Sequence, residues 1–271
     1  MENTVRFDGV GFGARLGSML RVDFRRMLKS KLFYIIIACA LLIPILMTVM
    51  MSMMDGSVSV NPQTGEETIM QGPENAWQSI GTLPTSDGTP MGGMDVMSMC
   101  NINMMFMGVA IFICLFISDD FRSGYAKNIF TVRAKKGEYI ISKTLAGFVC
   151  GTLMLIAYFM GAILGGAISG LSFSLHGLTI SNLVFCMLAK VFLMLVFVPI
   201  FVLVSVGAKQ RAWLSICGSL GAGMLLFMMV SMITPLSSTV VNLLLCLVGG
   251  ILFSTGLGAI GNIILKKTSL V

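Results

Sequence analysis

Six apolar runs, at about 33–54, 98–118, 144–169, 183–207, 213–234 and 241–265, are separated by connections that alternate sharply in charge. Each run exceeds the roughly 18–20 residues needed to cross a hydrocarbon core of about 30 Å. Of the eighteen Lys and Arg residues, seven precede the first run, six lie between the second and third, two between the fourth and fifth, and two follow the sixth. The three remaining connections carry none, and the eighteenth basic residue, Lys190, lies inside a run. Basic flanks resist translocation. The pattern therefore predicts an all-α, polytopic membrane protein with six transmembrane helices and both termini cytoplasmic.

Composition narrows the class further. The chain is 56% hydrophobic and only 11% charged, against about 25% charged in soluble domains, which excludes a water-soluble fold. Runs of some twenty continuous apolar residues also exclude a membrane barrel, whose strands alternate over about ten residues. The net charge of +6 is the sum of basic flanks and an acidic outer segment rather than a nucleic-acid signature. Six of the seven Cys lie well inside runs, Cys100 sits near the outer end of one, and no C-x-x-C pair occurs, so neither a disulfide framework nor a thiolate metal site is expected. The first run is too long for the core of a signal peptide and is expected to stay in the membrane.

Residues 1–31 read as a loose tail followed, from about Ala14, by an amphipathic helix. Leu16, Leu20, Phe24 and Met27 share one face, and Arg15, Arg21, Arg25, Arg26 and Lys29 the other. Such a helix lies in the headgroup plane with its basic face toward anionic lipid; the plainer alternative is a basic flank that only orients the first span. Residues 55–97 form the one sizeable outer segment, acidic and free of Lys and Arg. Asn61-Pro62-Gln63-Thr64-Gly65 is turn chemistry, consistent with the tip of a hairpin ending near Glu67-Thr68-Ile69. Trp77, Ile80 and Leu83 are expected on the outer leaflet. Gly147 and Gly151, Gly161 and Gly165, and Gly166 and Gly170 are spaced by four, and Gly250, Ser254, Gly258 and Asn262 form a small or polar stripe. These spacings let helix backbones approach closely, within one subunit or between two.

The connection 119–143 places Phe121, Tyr125, Ile129 and Val132 at helical spacing with charge between them. A short amphipathic helix of this kind must dock on lipid, on its own chain or on a partner. An acidic residue ending the second span (Asp119 or Asp120), then Gly124, a basic residue near the turn (Arg133), the pair Glu138-Tyr139 and a Lys opening the third span (Lys143) resemble the ABC-2-type permeases of ATP-binding-cassette transporters. The outline of the whole chain is similar too, although Thr131-Val132 stands where that family often has Pro. The resemblance implies that 119–143 is a coupling loop whose helix seats in a groove on a separate ATPase subunit, with Asp120, Phe121, Gly124, Tyr125, Ile129, Arg133 and Glu138 as coupling residues. It also implies two ATPase subunits, a second permease subunit, same or paralogous, and a bacterial plasma membrane. No G-x-x-x-x-G-K-[ST] loop occurs, so ATP and its Mg belong to the partner, and this chain carries no cofactor or metal of its own and is not itself an enzyme.

Substrate features are fewer. Met47, Met50, Met51 and Met54 make a helical stripe, and Met94, Met97, Met99, Met104, Met105 and Met107 crowd the start of the second span. Thioethers can hold Cu(I), line a pliable surface or simply pack. Met47, Met50, Met51, Asn101, Met104 and Lys190 are the candidate substrate path. Lys190 has no acidic partner in any span, so its expected behaviour is to snorkel to the outer headgroups, with contact to an anionic substrate group as the alternative. His176 reads as a solvated turn residue. The functional expectation is export, by alternating access, of an amphipathic peptide or lipid-like molecule. A non-transporting membrane anchor or sensor and a copper-linked permease are the alternatives.

Overall fold

A computed structural model describes residues 11–60, 67–69, 72–73, 75–81, 101–132, 136–175, 177–209 and 211–267. Among the described residues, eight α-helices carry the fold: α1 (Phe12–Lys29), α2 (Lys31–Met53), α3 (Met105–Arg122), α4 (Tyr125–Val132), α5 (Gly137–Ile168), α6 (Ile180–Ala208), α7 (Ala212–Ile233) and α8 (Val240–Lys267). Among the described residues, five segments are long and apolar enough to cross a membrane: Lys31–Met53, Ile102–Arg122, Gly137–Ile168, Ile180–Ala208 and Val240–Leu265. The fifth helix-forming run, α7, is continuously apolar over Ala212–Phe227.

Each helix begins or ends for a local reason. Ser30 adopts an extended conformation between α1 and α2, so the chain turns without a loop. The second apolar run enters its helix later than its composition suggests. Asn101 accepts a hydrogen bond from the Asn103 amide at 2.9 Å and opens a 3₁₀ turn at Ile102–Met104 before α3 begins. Thr179 and Asn182 form a capping box that starts α6. Helix α5 starts at Gly137, well before the apolar stretch itself, and continues for 32 residues.

The core is built around α5 and α6. Helix α2 packs chiefly on α5, α8 on α6, and α3 fills the space against α5, α6 and α7. The glycines of α5 make this possible. A side chain at Gly161 would collide with the Leu41 carbonyl of α2 and, at 2.6 Å, with Pro44, while one at Gly165 would lie 3.0 Å from the Ile45 Cα. Gly147 and Gly151 face Ile113 and Val109 of α3 and Val198 and Met194 of α6. These four positions therefore serve packing inside the chain. In α8 the expected stripe divides: Gly250 meets the Phe192 carbonyl and Leu195 of α6, whereas Gly258 faces open space.

On the side opposite α1, β1 (Val58–Val60) and β2 (Glu67–Ile69) pair antiparallel, Val58 with Ile69; the turn expected between them and Leu83 lie outside the described residues. Trp77 is half-buried and packs on the protein. Its ring stacks on Phe159 at 6.2 Å, its indole N–H donates to the Phe173 carbonyl at 3.0 Å, and the neighbouring Ile80 is fully buried. The indole needs a partner for its N–H when it leaves water, and the 171–175 connection supplies one.

Candidate functional site

The most polar buried region lies where α1, α3, α4 and α5 converge. Along α1 the residues turned inward are Met19, Asp23 and Met27, spaced by four, so an acidic side chain sits in the middle of the helix's buried stripe. Asp23 accepts from Lys143 Nζ at 2.7 Å and from Ser142 Oγ at 2.6 Å, both in the first turns of α5. Lys143 also contacts Asp120 Oδ2, at the end of α3, at 2.6 Å. Asp120 in turn accepts from Arg26 Nη1 at 2.5 Å and from the Tyr139 hydroxyl at 2.9 Å. Asp23 and Asp120 are fully buried and Lys143 is nearly so. Two cations and two carboxylates thus neutralise one another, with hydroxyls taking up remaining oxygen lone pairs, as burial of charge demands.

Aromatic rings close the cluster. The Arg26 guanidinium lies 4.2 Å from the Tyr125 ring centroid, and Lys143 Nζ lies 4.1 Å from that of Phe116. Burial opposes the Arg26 charge, but Asp120's charge and hydrogen bond outweigh it and raise the guanidinium pKa. Burial and the nearby Asp23 charge raise the Tyr125 phenol as well, which keeps it neutral. A second pair, Arg15 Nε to Glu138 Oε1 at 3.0 Å, fastens the start of α1 to the start of α5.

The short helix α4 hangs from this cluster. Gly124 has φ +74°, a conformation other residues adopt only with strain, and it permits the sharp turn out of α3 directly into Tyr125. Ala126 and Phe130 face inward and are buried, Tyr125 and Ile129 are half-buried, and Lys127, Asn128 and Thr131 are exposed. Phe130 packs edge-on to Tyr139 at 5.2 Å.

This geometry revises the expected coupling set. Phe121 belongs to α3, not to the short helix, and is buried against Tyr139. Asp120 and Glu138 are buried in ion pairs with α1 and so present no surface to another chain. Tyr125 and Ile129 bridge the inner and outer faces, and Arg133 lies outside the described residues. Sequence reasoning missed Asp23. A signal existed: its i−4 and i+4 neighbours are both Met, which places it on the apolar face of an otherwise basic helix.

Residues 19–221 match the family described as ABC-2 family transporter protein. The chain belongs to that family. The matched region runs from the inward stripe of α1 to the middle of α7 and so contains the whole ion-pair cluster. Neither a curated protein nor a solved structure matches the chain. Membership, with five helices of spanning length and apolarity among the described residues, makes this ABC-2 permease a multi-pass membrane protein and the membrane component of an ABC transporter, a family that implies association with an ABC ATPase component.

The candidate substrate path of the permease is not one continuous surface. Met50 is exposed and Met47 and Met51 are half-buried on α2, whereas Lys190 lies among α3, α6 and α7. Asn101 is spent on capping and Met104 is half-buried against the core. The remaining Met cluster at 94–99 and His176 lie outside the described residues.

Lys190 does not snorkel. It is fully buried, and its ammonium donates to Asn103 Oδ1 at 2.7 Å and to Thr234 Oγ1 and O at 3.0 and 3.4 Å. Three acceptors satisfy three donors. Substrate contact with Lys190 therefore requires separation of α3, α6 and α7. Asn103→Ala is expected to lower stability by roughly 2–3 kcal/mol, because it strands a buried cation. Lys190→Met, which removes the charge, should cost less than about 1.5 kcal/mol. Melting temperatures of the purified variants in detergent check the order; a larger loss in Lys190→Met would contradict it.

Proposed function

We propose that this chain is the permease subunit of an ATP-driven exporter, six-spanning, with α1 and α4 on the cytoplasmic side. A coupling motion enters through α4. It works with two ATPase subunits and a second permease copy or paralogue, and moves an amphipathic substrate, a peptide or lipid-like molecule, outward by alternating access. ATP and Mg are handled by the partner. The observation that carries this reading is the joining of α4 to three longer helices by one buried ion-pair cluster. A helix of eight residues has no stability of its own and transmits force only if it is fastened to something rigid. Asp120, Tyr139 and the Arg26–Tyr125 contact fasten it to the base of α3, α5 and α1 at once.

The docking surface in this reading is the exposed face of Lys127, Asn128 and Thr131, with Tyr125 and Ile129 at its edges. Lys127→Glu combined with Thr131→Arg is expected to weaken copurification of the ATPase about thirtyfold, the effect of losing a central interface anchor of about 2 kcal/mol. Substrate-stimulated hydrolysis should fall in parallel, while the melting temperature of the permease alone stays unchanged because the face is solvent-exposed. A cysteine at position 127 should resist a membrane-impermeant thiol reagent in intact cells. Full ATPase copurification in the double variant, or labelling at 127 from outside, would refute the assignment.

A further inference from the structure

A cleft of about 740 Å³ opens beside the ion-pair cluster, between the end of α1, the start of α2, the last turns of α3 and the start of α7. That volume lies within the roughly 300–1,000 Å³ of small-molecule sites. Its two ends differ in chemistry. Toward the basic side it is rimmed by Arg25, Lys29 and Arg122, with Asp119 and Arg26 between them. Arg26 is neutralised by Asp120 and Asp119. Arg25, Lys29 and Arg122 are exposed and have no ion-pair partner among the described residues; against the one exposed carboxylate of Asp119 they leave the opening with an excess of positive charge. Toward the interior the wall is apolar: Leu32, Leu115 and the pair Phe112 and Phe116, stacked with centroids 5.5 Å apart.

Between these ends lies Ser118. Its hydroxyl is buried, the residue being 3% exposed, and finds no hydrogen-bond partner among the described residues. An unsatisfied buried hydroxyl is uncommon and calls for an explanation. The residue lines the cleft, next in sequence to the charged Asp119 and one helical turn from the apolar Leu115.

We propose that this cleft holds one anionic phospholipid from the leaflet that faces α1. Its phosphate would lie among Arg25, Lys29 and Arg122, the Ser118 hydroxyl would donate to an oxygen at the glycerol level, and an acyl chain would run along Leu115, Phe112 and Leu32. Charge complementarity selects the occupant. A cationic peptide is repelled by the rim, and a free phosphate leaves the aromatic wall and Ser118 unused. The lipid would act as a wedge that holds α7 at a fixed distance from α1 and α3. This inference concerns a resident ligand and stands independently of the transport reading.

Native mass spectrometry of the purified full chain provides the test, with phosphatidylglycerol, phosphatidylethanolamine or inorganic phosphate added. The variant Arg25→Gln/Lys29→Gln/Arg122→Gln is compared with Arg21→Gln, which removes a charge from the same helix but not from the cleft. Wild type and Arg21→Gln should keep one phosphatidylglycerol under activation that strips the rest, and should discriminate against phosphatidylethanolamine. Each basic residue beside an anionic lipid is worth about fivefold, so the triple variant should bind about a hundredfold more weakly. Where the triple variant is poorly folded, Arg122→Gln alone, with an expected fivefold loss, decides. Equal retention in the triple variant and Arg21→Gln would overturn the proposal. So would displacement of the lipid by millimolar inorganic phosphate, which would give the rim to a free anion.

Discussion

Lys143→Met should destabilise the permease by about 3–5 kcal/mol, the usual consequence of removing one partner from a buried ion pair. The lysine serves two carboxylates at once, Asp23 at 2.7 Å and Asp120 at 2.6 Å. With it gone, two buried carboxylates face only Arg26, and the site acquires an uncompensated negative charge. The damage should also be specific in kind. α1 loses its main polar attachment to α5, so protease accessibility should rise first around Arg21 to Lys29. Asp23→Asn placed in the Lys143→Met background should recover part of the loss, because it removes the stranded charge while Ser142 can still hydrogen-bond the amide. The measurement is a thermal melt of the two variants beside limited proteolysis. A single variant as stable as the parent, or a double variant worse than the single, would show that the cluster is not the fastening described above.

Gly161→Leu is the second large effect, and its mechanism is different. Overpacking typically costs 1–3 kcal/mol, and it does so when flexible side chains can give way. At Gly161 the obstacle is the backbone carbonyl of Leu41, with Pro44 beside it. Neither can rotate aside, so relief requires α2 to move off α5. The expected outcome is a loss of about 3 kcal/mol or more, seen as aggregation in detergent size-exclusion and a lowered melting point. Gly258→Leu is the matched control, since a side chain there meets nothing within 4 Å and should be tolerated. Equal behaviour of the two variants would mean that the α2–α5 approach is not as close as described.

Both effects bear on what the sequence alone makes legible. The apolar runs and the sorting of basic residues were legible because each is a property of a single segment. Helix limits were less so, and the differences have causes. Helix α5 begins at Gly137 because Glu138, Ser142 and Lys143, polar by any scale, find their partners on α1; hydropathy cannot register a charge that another helix cancels. Asp23 was overlooked for the same reason, appearing as one acidic residue diluting five basic ones. Lys190 was expected at the surface because no carboxylate was in reach along the chain. Its acceptors are neutral, Asn103 and Thr234, and lie 87 and 44 residues away. Spacing pointed to a short helix after the second span, and one runs over Tyr125–Val132, but its start and which of its sides faced inward depended on the α3–Gly124 turn. That turn moved Phe121 out of the helix and put Ala126 and Phe130 inside.

Helix α5 has a mechanical consequence. Its 32 residues make a strut of about 48 Å, gripped at three levels. Lys143 and Glu138 hold one end to α1, Gly161 rests against α2, and Gly166 abuts Ala76 on the far side, where an added Cβ would lie 2.5 Å from the alanine Cβ. The closest approach, at Gly161, is a natural fulcrum. From Lys143 to Gly161 is about 27 Å and from Gly161 to the end of the helix about 10 Å, at 1.5 Å per residue. The arms are unequal by more than two to one. A swing of about 5 Å at the Lys143 end becomes about 2 Å at the far end, with the force raised in proportion, a gearing suited to prying apart the packed surface there rather than sweeping it aside.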